Sequence, residues 1–140
     1  MQKKYDTLDQ MVYNFQSVNM RIRTSKIPVV VATQGYVFGG GCEITMHCDA
    51  AVCAAESYIG LVEVGVGLIP GGGGSKEFAL RISDGFYDGD VKTPMLLDHF
   101  RSIATAAVSS SASEAFDLHY LLDARDSISY NILHLSLIHI

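Results

Sequence analysis

GYVFGGGCEITMHCDA (residues 35–50) sets three consecutive glycines directly before a helix-like stretch whose second residue is Glu43. Glycine weakens a helix by about 1 kcal/mol relative to alanine, so three in a row need a physical reason. A helix start supplies one. Its first N–H groups lack intrahelical partners and carry about half a positive charge. Without side chains in the way, a carbonyl oxygen of a ligand can come close to those groups, which suits acyl chemistry that builds negative charge on oxygen. Glu43 then stands in the first turn, beside the bound group.

Upstream of the glycines, IPVVVAT (27–33) is a continuous β-branched run that predicts a strand buried on both faces. Before it, Met11, Phe15, Val18 and Ile22 recur at spacings of four, three and four, which predicts a helix over about 8–24 with those residues on one face. Pro28 disfavours helical backbone in its predecessor, so this helix stops near Ser25. Downstream, a helix over roughly 42–48 is followed by AAVCAAE (50–56) as a second strand. Helix, buried strand, helix, strand is the alternation of an α/β protein with parallel pairing.

Eleven of the 13 glycines fall between Gly35 and Gly74. Beyond them SKEFALRIS predicts a helix with Ser75 as N-cap. Thr93 and Pro94 open another, with Leu97, Phe100, Ile103, Ala104 and Ala107 as its apolar stripe. A third begins at Ser111, where SASE forms a capping box with Glu114. Residues 83–93 are a polar loop.

A chain of 140 residues is one domain's worth, or part of a larger domain. Apolar residues make up 49% and charged residues 18%, enough for a sizeable core. The net charge of −5, with no basic run, argues against nucleic acid as a partner. Cys42, Cys48 and Cys53 lack ligand spacing and are odd in number, so they read as small buried apolar residues in a reducing compartment. His47, four residues after Glu43, reads as a packing or surface residue, and no metal site is expected. The polar start MQKKYDTLDQ is unlike a signal peptide, and no run reaches the ~18 apolar residues of a membrane span. A cytoplasmic location is the expectation.

Two phosphate-binding patterns fail on the residue that matters. GGGGSK (71–76) has Ser75 where a P-loop needs glycine, and GVGLIP (65–70) has Pro70 where a dinucleotide fingerprint has its last glycine. A second carboxylate is more informative. Glu63 lies between Val62 and Val64, where it faces a desolvation cost unless it has partners or a task. Two glutamates in an apolar cleft can hold a water, one taking its proton while the other delivers a proton to carbon. Spacing alone leaves open the plainer alternative, in which Glu43 merely favours the helix dipole and Glu63 lies on the surface.

IPVVVATQGYVFGGGCEITMHCDAAV followed by IGLVEVGVGLIPGGGGSKEFALRI resembles the enoyl-CoA hydratase/isomerase (crotonase) superfamily, whose members show a GYxxGGGxE turn and then PExxxGxxPGxGG about twenty residues on. The resemblance covers residues 27–82, with a weaker one over 109–124, where His119 stands in place of the glycine usual in the family. It implies a crotonase-like α/β fold, here its second half followed by helices. By position it implies that Gly40 supplies one oxyanion-hole N–H to a thioester carbonyl, that Glu43 and Glu63 are the two catalytic acids and bases, and that Phe38, Gly39, Val62 and Gly71 line an acyl-CoA cleft. Having both glutamates favours hydration of a 2-enoyl-CoA over isomerisation. A non-catalytic interaction module of the same fold is the remaining alternative.

LVE in place of the common QPE, GGGGSKEF in place of GAGGTQRL and the long loop at 83–93 are more similar to the hydratase portion of multifunctional fatty-acid oxidation proteins, in which a 3-hydroxyacyl-CoA dehydrogenase shares the chain. No cofactor is expected in this stretch, and NAD only with such a dehydrogenase portion. The family's habit of forming trimers and pairs of trimers implies a homo-oligomer. Residues 1–134 are expected to be a partial domain whose upstream half, with the other oxyanion-hole N–H, lies elsewhere. The final LSLIHI resembles translated sequencing-adapter readthrough, so residues 135–140 stand open as native or foreign.

Overall fold

The computed structural model describes residues 5–131. Helix α1 (Tyr5–Arg23) leads into strand β1 (Val30–Thr33), strand β2 (Tyr36–Phe38) and helix α2 (Gly40–His47). Strands β3 (Ala50–Ala54) and β4 (Tyr58–Gly60) follow, then a 3-10 turn (Glu63–Val66) and helix α3 (Gly74–Asp84). Helices α4 (Lys92–Ala104) and α5 (Ala112–Asp117) and strand β5 (Ser127–Ser129) complete the order. The α/β alternation with parallel pairing is as the sequence led us to expect. β1, β3 and β5 form a three-stranded parallel sheet in that order, with Val30 opposite Ala50 and Val52 opposite Ser127. β2 and β4 pair in parallel separately, with Tyr36 opposite Tyr58 and Phe38 opposite Gly60.

The core lies between these sheets and α2, α3 and α5. Val37, Met46, Ile59, Leu61, Phe78, Tyr120 and Leu121 fill it, together with Cys42 and Cys53. All three cysteines are buried and free, which matches their reading as small apolar residues. Burial pushes their thiols above the usual range. Two arginines tie the layers together. Arg81 donates to the carbonyls of His119, Tyr120 and Met46, and burial lowers its pKa to about 10. Arg125 donates to the carbonyls of Cys48 and Met46. Asp126 accepts from the N–H groups of Ala51 and Leu122 and so fixes β3 against the chain leading into β5.

Several sequence expectations need correction. β1 is shorter than 27–33 and is not buried on both faces: among the described residues it lies at the edge of its sheet, and Val30 remains 49% exposed. The inner face of α1 is not the expected stripe. Met11 and Val18 are exposed, Phe15 and Ile22 are half-buried, and the residue at the centre of the packed face is Asn19. Ser75 does not cap α3, because the helix opens at Gly74 with Gly73 as N-cap. α4 begins within two residues of Pro94, but Leu97 stays exposed and His99 is its buried residue. Only half of the capping box at Ser111 forms: its hydroxyl accepts from the Glu114 N–H at 3.2 Å, while the Glu114 carboxylate accepts from the N–H and hydroxyl of Ser110 rather than from the Ser111 N–H. β2, β4 and β5, of three residues each, were not anticipated. The tail at 135–140 lies outside the described residues. No described helix is long and apolar enough to cross a membrane.

Candidate active site

The glycine turn forms as the sequence required. Gly39, at φ +52 and ψ −122, adopts backbone that suits glycine alone, and its N–H is held by the carbonyl of Gly60 at 2.9 Å. Gly40 is the first helical residue of α2, so its N–H has no partner within the helix and lies at the positive end of the dipole. Glu43 follows in the first turn and is buried.

Glu63 opens the 3-10 turn and reaches back to this point. A Cβ placed on Gly39 would lie 3.1 Å from Glu63 Oε1 and 4.0 Å from Val62 Cγ2. The absent side chain at Gly39 is thus what lets the second carboxylate approach the glycine turn. Glu63 Oε2 is buried and has no hydrogen-bond partner. An orphaned carboxylate oxygen is costly in a folded protein and marks a place where a further polar group belongs.

Glu43 is held quite differently. Its Oε1 accepts the N–H of Gly74 at 2.9 Å, so it caps α3 in place of Ser75. Burial raises its pKa above the ordinary 4.5, and the negative charge of Glu63 pushes the same way. The N–H groups of Gly74, Gly72 and Gly73 oppose this by favouring the ionised form. Glu43 therefore holds its proton more readily than an ordinary glutamate, the direction in which an acid–base group is tuned. Against the plainer alternative, in which Glu43 merely favours the helix dipole and Glu63 lies on the surface, Glu63 itself is half-buried with Oε2 out of solvent.

The other residues singled out in the sequence fall around this centre unevenly. Gly71 presents its carbonyl to Gln16 Nε2 at 2.6 Å. Val62 is half-buried beside Gly39. Phe38 stands on the opposite side of β2 from buried Val37, its ring 5.2 Å from that of Tyr36. His47 is neither simple packing nor surface. It is buried, with Nδ1 2.6 Å from the Glu43 carbonyl and Nε2 3.0 Å from Lys76 Nζ and 3.4 Å from Glu77 Oε1. Glu77 also pairs with Lys76 at 2.8 Å and Arg23 at 2.9 Å. Sequence reasoning missed this cluster and missed Phe15. The Phe15 ring would lie 3.1 Å from a Cβ on Gly40 and would overlap one on Gly72. Among the described residues, no group of three or more His, Cys, Asp or Glu is placed to hold a metal ion.

An apolar cavity of about 490 Å³ adjoins the 3-10 turn, lined by Val64, Ile69, Phe78, Ile82, Leu96 and Phe100 among others. Residues 65–70, which resemble a dinucleotide fingerprint in part, run from the 3-10 turn rather than from a strand into a helix. This fits their exclusion as a nucleotide loop.

Comparison with known proteins gives a consistent result. The model of the family described as enoyl-CoA hydratase/isomerase matches residues 1–85. A Bacillus subtilis protein named "Probable 3-hydroxyacyl-CoA dehydrogenase" is 42% identical over 130 residues, covering 91% of this chain and 16% of its own length. The crotonyl-CoA hydratase of Syntrophomonas wolfei is 37% identical over 70 residues, covering 50% of this chain and 27% of its own. The crystal structure of enoyl-CoA hydratase from Thermoplasma volcanium superposes with a TM-score of 0.74 at 20% identity, covering 98% of this chain and 48% of that one. The fold is therefore that of the enoyl-CoA hydratases, and the chain spans about half the length of that solved relative.

Proposed function

The chain belongs to the enoyl-CoA hydratase/isomerase family, and on that footing we propose that its two glutamates add water across the C2–C3 double bond of a 2-enoyl-CoA, giving a 3-hydroxyacyl-CoA. The observation that carries this reading is that Glu63 Oε1 reaches Gly39, at the start of the helix that bears Glu43, near enough for its charge to act on the Glu43 carboxyl. One carboxylate takes a proton from water as the water oxygen bonds to C3. The other gives a proton to C2, and the charge that builds meanwhile on the thioester oxygen is met by the Gly40 N–H. Phe38, Gly39, Val62 and Gly71 are proposed to line the cleft, and the orphaned Glu63 Oε2 supplies an acceptor for the attacking water.

The Bacillus subtilis relative's name supports a finer reading, in which a full-length protein carrying this chain also holds a 3-hydroxyacyl-CoA dehydrogenase portion and acts in fatty-acid oxidation. Any NAD would then belong to that portion, and assembly into a homo-oligomer is proposed with it. The unequal holding of the two glutamates favours one rival, an isomerase in which a single carboxylate moves the proton. Feeding the full-length protein 2-enoyl-CoA and 3-enoyl-CoA thioesters separates the two. A 3-hydroxyacyl-CoA product from the 2-enoyl substrate supports hydration. Interconversion of the enoyl isomers without hydration sinks it in favour of isomerisation. No turnover of either thioester, with function unaffected by replacing both glutamates, favours an interaction module.

A further inference from the structure

We propose that α1 acts as a peptide clamp for the catalytic carboxylate, with Gln16 and Asn19 as positioning residues that hold the carbonyls of Gly71 and Gly72 so that the following N–H groups face Glu43. The proposal rests on the reading of Glu43 as a proton carrier. Gln16 Nε2 donates to the Gly71 carbonyl at 2.6 Å, and Asn19 Nδ2 to the Gly72 carbonyl at 2.8 Å. In a planar trans peptide, the carbonyl of one residue and the N–H of the next point in opposite directions. Tying two successive carbonyls to α1 therefore turns the N–H groups of Gly72 and Gly73 away from α1. The Glu43 carboxylate lies against this loop, where a Cβ on Gly72 would overlap its Oε2, and it accepts the Gly74 N–H at 2.9 Å.

The rest of the surroundings fit a clamp rather than ordinary packing. Asn19 is fully buried, yet its Oδ1 has no partner. Only the donor half of this amide is used, and its acceptor half is a cost the site bears. A Cβ on Gly72 would overlap both the Phe15 ring and the Glu43 carboxylate, so the loop is pressed directly between α1 and Glu43. Gln16, Asn19 and Arg23 lie at spacings of three and four, hence on one face of α1. Arg23 reaches past the loop to Glu77 on α3. From the opposite side the His47 imidazole meets Gly73, where a Cβ would lie 2.9 Å from His47 Cε1. The loop is thus fixed from both sides. The charged or titratable groups around Glu43 are Glu63 on the 3-10 turn, Cys42 and His47 on α2, Lys76 and Glu77 on α3 and Arg23 on α1. Substitutions at Gln16 or Asn19 change none of them.

The test is a carboxyl NMR titration of Glu43 in the full-length protein, its signal assigned by loss in Glu43→Gln. Asn19→Leu keeps the size of the side chain and removes the donor. The titration midpoint of Glu43 is expected to move further up, and kcat for 2-enoyl-CoA hydration to fall by roughly 10- to 100-fold with little change in KM, as misplacement of a reacting group does. Gln16→Leu, at an exposed side chain where folding is not at stake, is expected to move the midpoint the same way by less. A midpoint unmoved in both variants overturns the clamp. A midpoint that moves in the variants while the parent protein shows no hydration supports the clamp and overturns the hydratase reading instead.

Discussion

Glu43 stands at the start of two helices at once: it belongs to the first turn of α2 and its carboxylate closes the first turn of α3. Glu63, by contrast, leaves one oxygen unpaired. If the two share one water, Glu→Gln at either position should lower hydration by about 10²- to 10⁴-fold while affinity for the thioester changes far less. The double replacement should cost much less than the product of the single losses, because groups acting as a unit are not additive. Near-normal rates in both single variants would rule the paired mechanism out. The raised pKa of Glu43 has a consequence for stability. A carboxyl whose pKa is higher folded than unfolded contributes stability below the unfolded value, and that contribution is lost as pH rises through the folded value. Glu43→Gln should therefore melt higher than the parent at neutral pH, with the difference shrinking below about pH 4.5, its ordinary value. Melting curves of the full-length protein at the two pH values check this, and a variant less stable at neutral pH contradicts it. Both glutamates could be singled out in the sequence, Glu43 by the glycines before it and Glu63 by its apolar neighbours, although their roles came only from the family resemblance. His47, Glu77 and Asn19 could not, since a polar residue on a helix carries no signal of which loop will fold over it.

At the level of the elements, the glycines before α2 and α3 serve different ends. Gly39 makes room for a carboxylate, whereas Gly73, at φ +113, turns the chain over His47 into α3. Gly73→Ala faces both left-handed backbone and the His47 ring, and should lower the melting temperature of the full-length protein by several degrees, as a loss of a few kcal/mol does. An unchanged melt would mean that the loop gives way easily. At α5 the expected effect is ordinary. Ser111→Ala removes the hydroxyl that accepts the Glu114 N–H and should cost ~1 kcal/mol, read as a small shift in denaturation midpoint. The helices were legible because apolar period and caps mark them. The missed strands are three residues long, too short for a period of two to show, and β3 was found only through its neighbours. Ser75 misled because the group that caps α3 lies 31 residues away, on Glu43.

Across the described residues, apolar side chains are left uncovered on α1 and at the sheet edge. Met11, Tyr13 and Val18 on α1 and Val30 at the edge of the sheet are exposed, and β1 has an unpaired side among the described residues. An open edge and exposed apolar side chains promote association. The 140-residue chain made by itself is therefore expected to self-associate and to melt without a sharp transition. Sedimentation and a thermal melt check this, and a monomer with a sharp cooperative melt would contradict it. One contact also sets an order of events. Asp126 accepts the N–H of Ala51 across 75 residues of sequence, at the start of the central strand. Contacts between such distant residues are slow to form, because a long loop must close before any stabilisation is returned. On a ribosome that releases the chain from its N-terminal end, α1, α2 and the glycine loop emerge well before Asp126. The pairing of β1 with β3 can form early, but the clasp on Ala51 and the addition of β5 wait until Asp126 and the residues after it are free of the exit tunnel. The sheet is thus completed only when nearly the whole of this stretch has been synthesised.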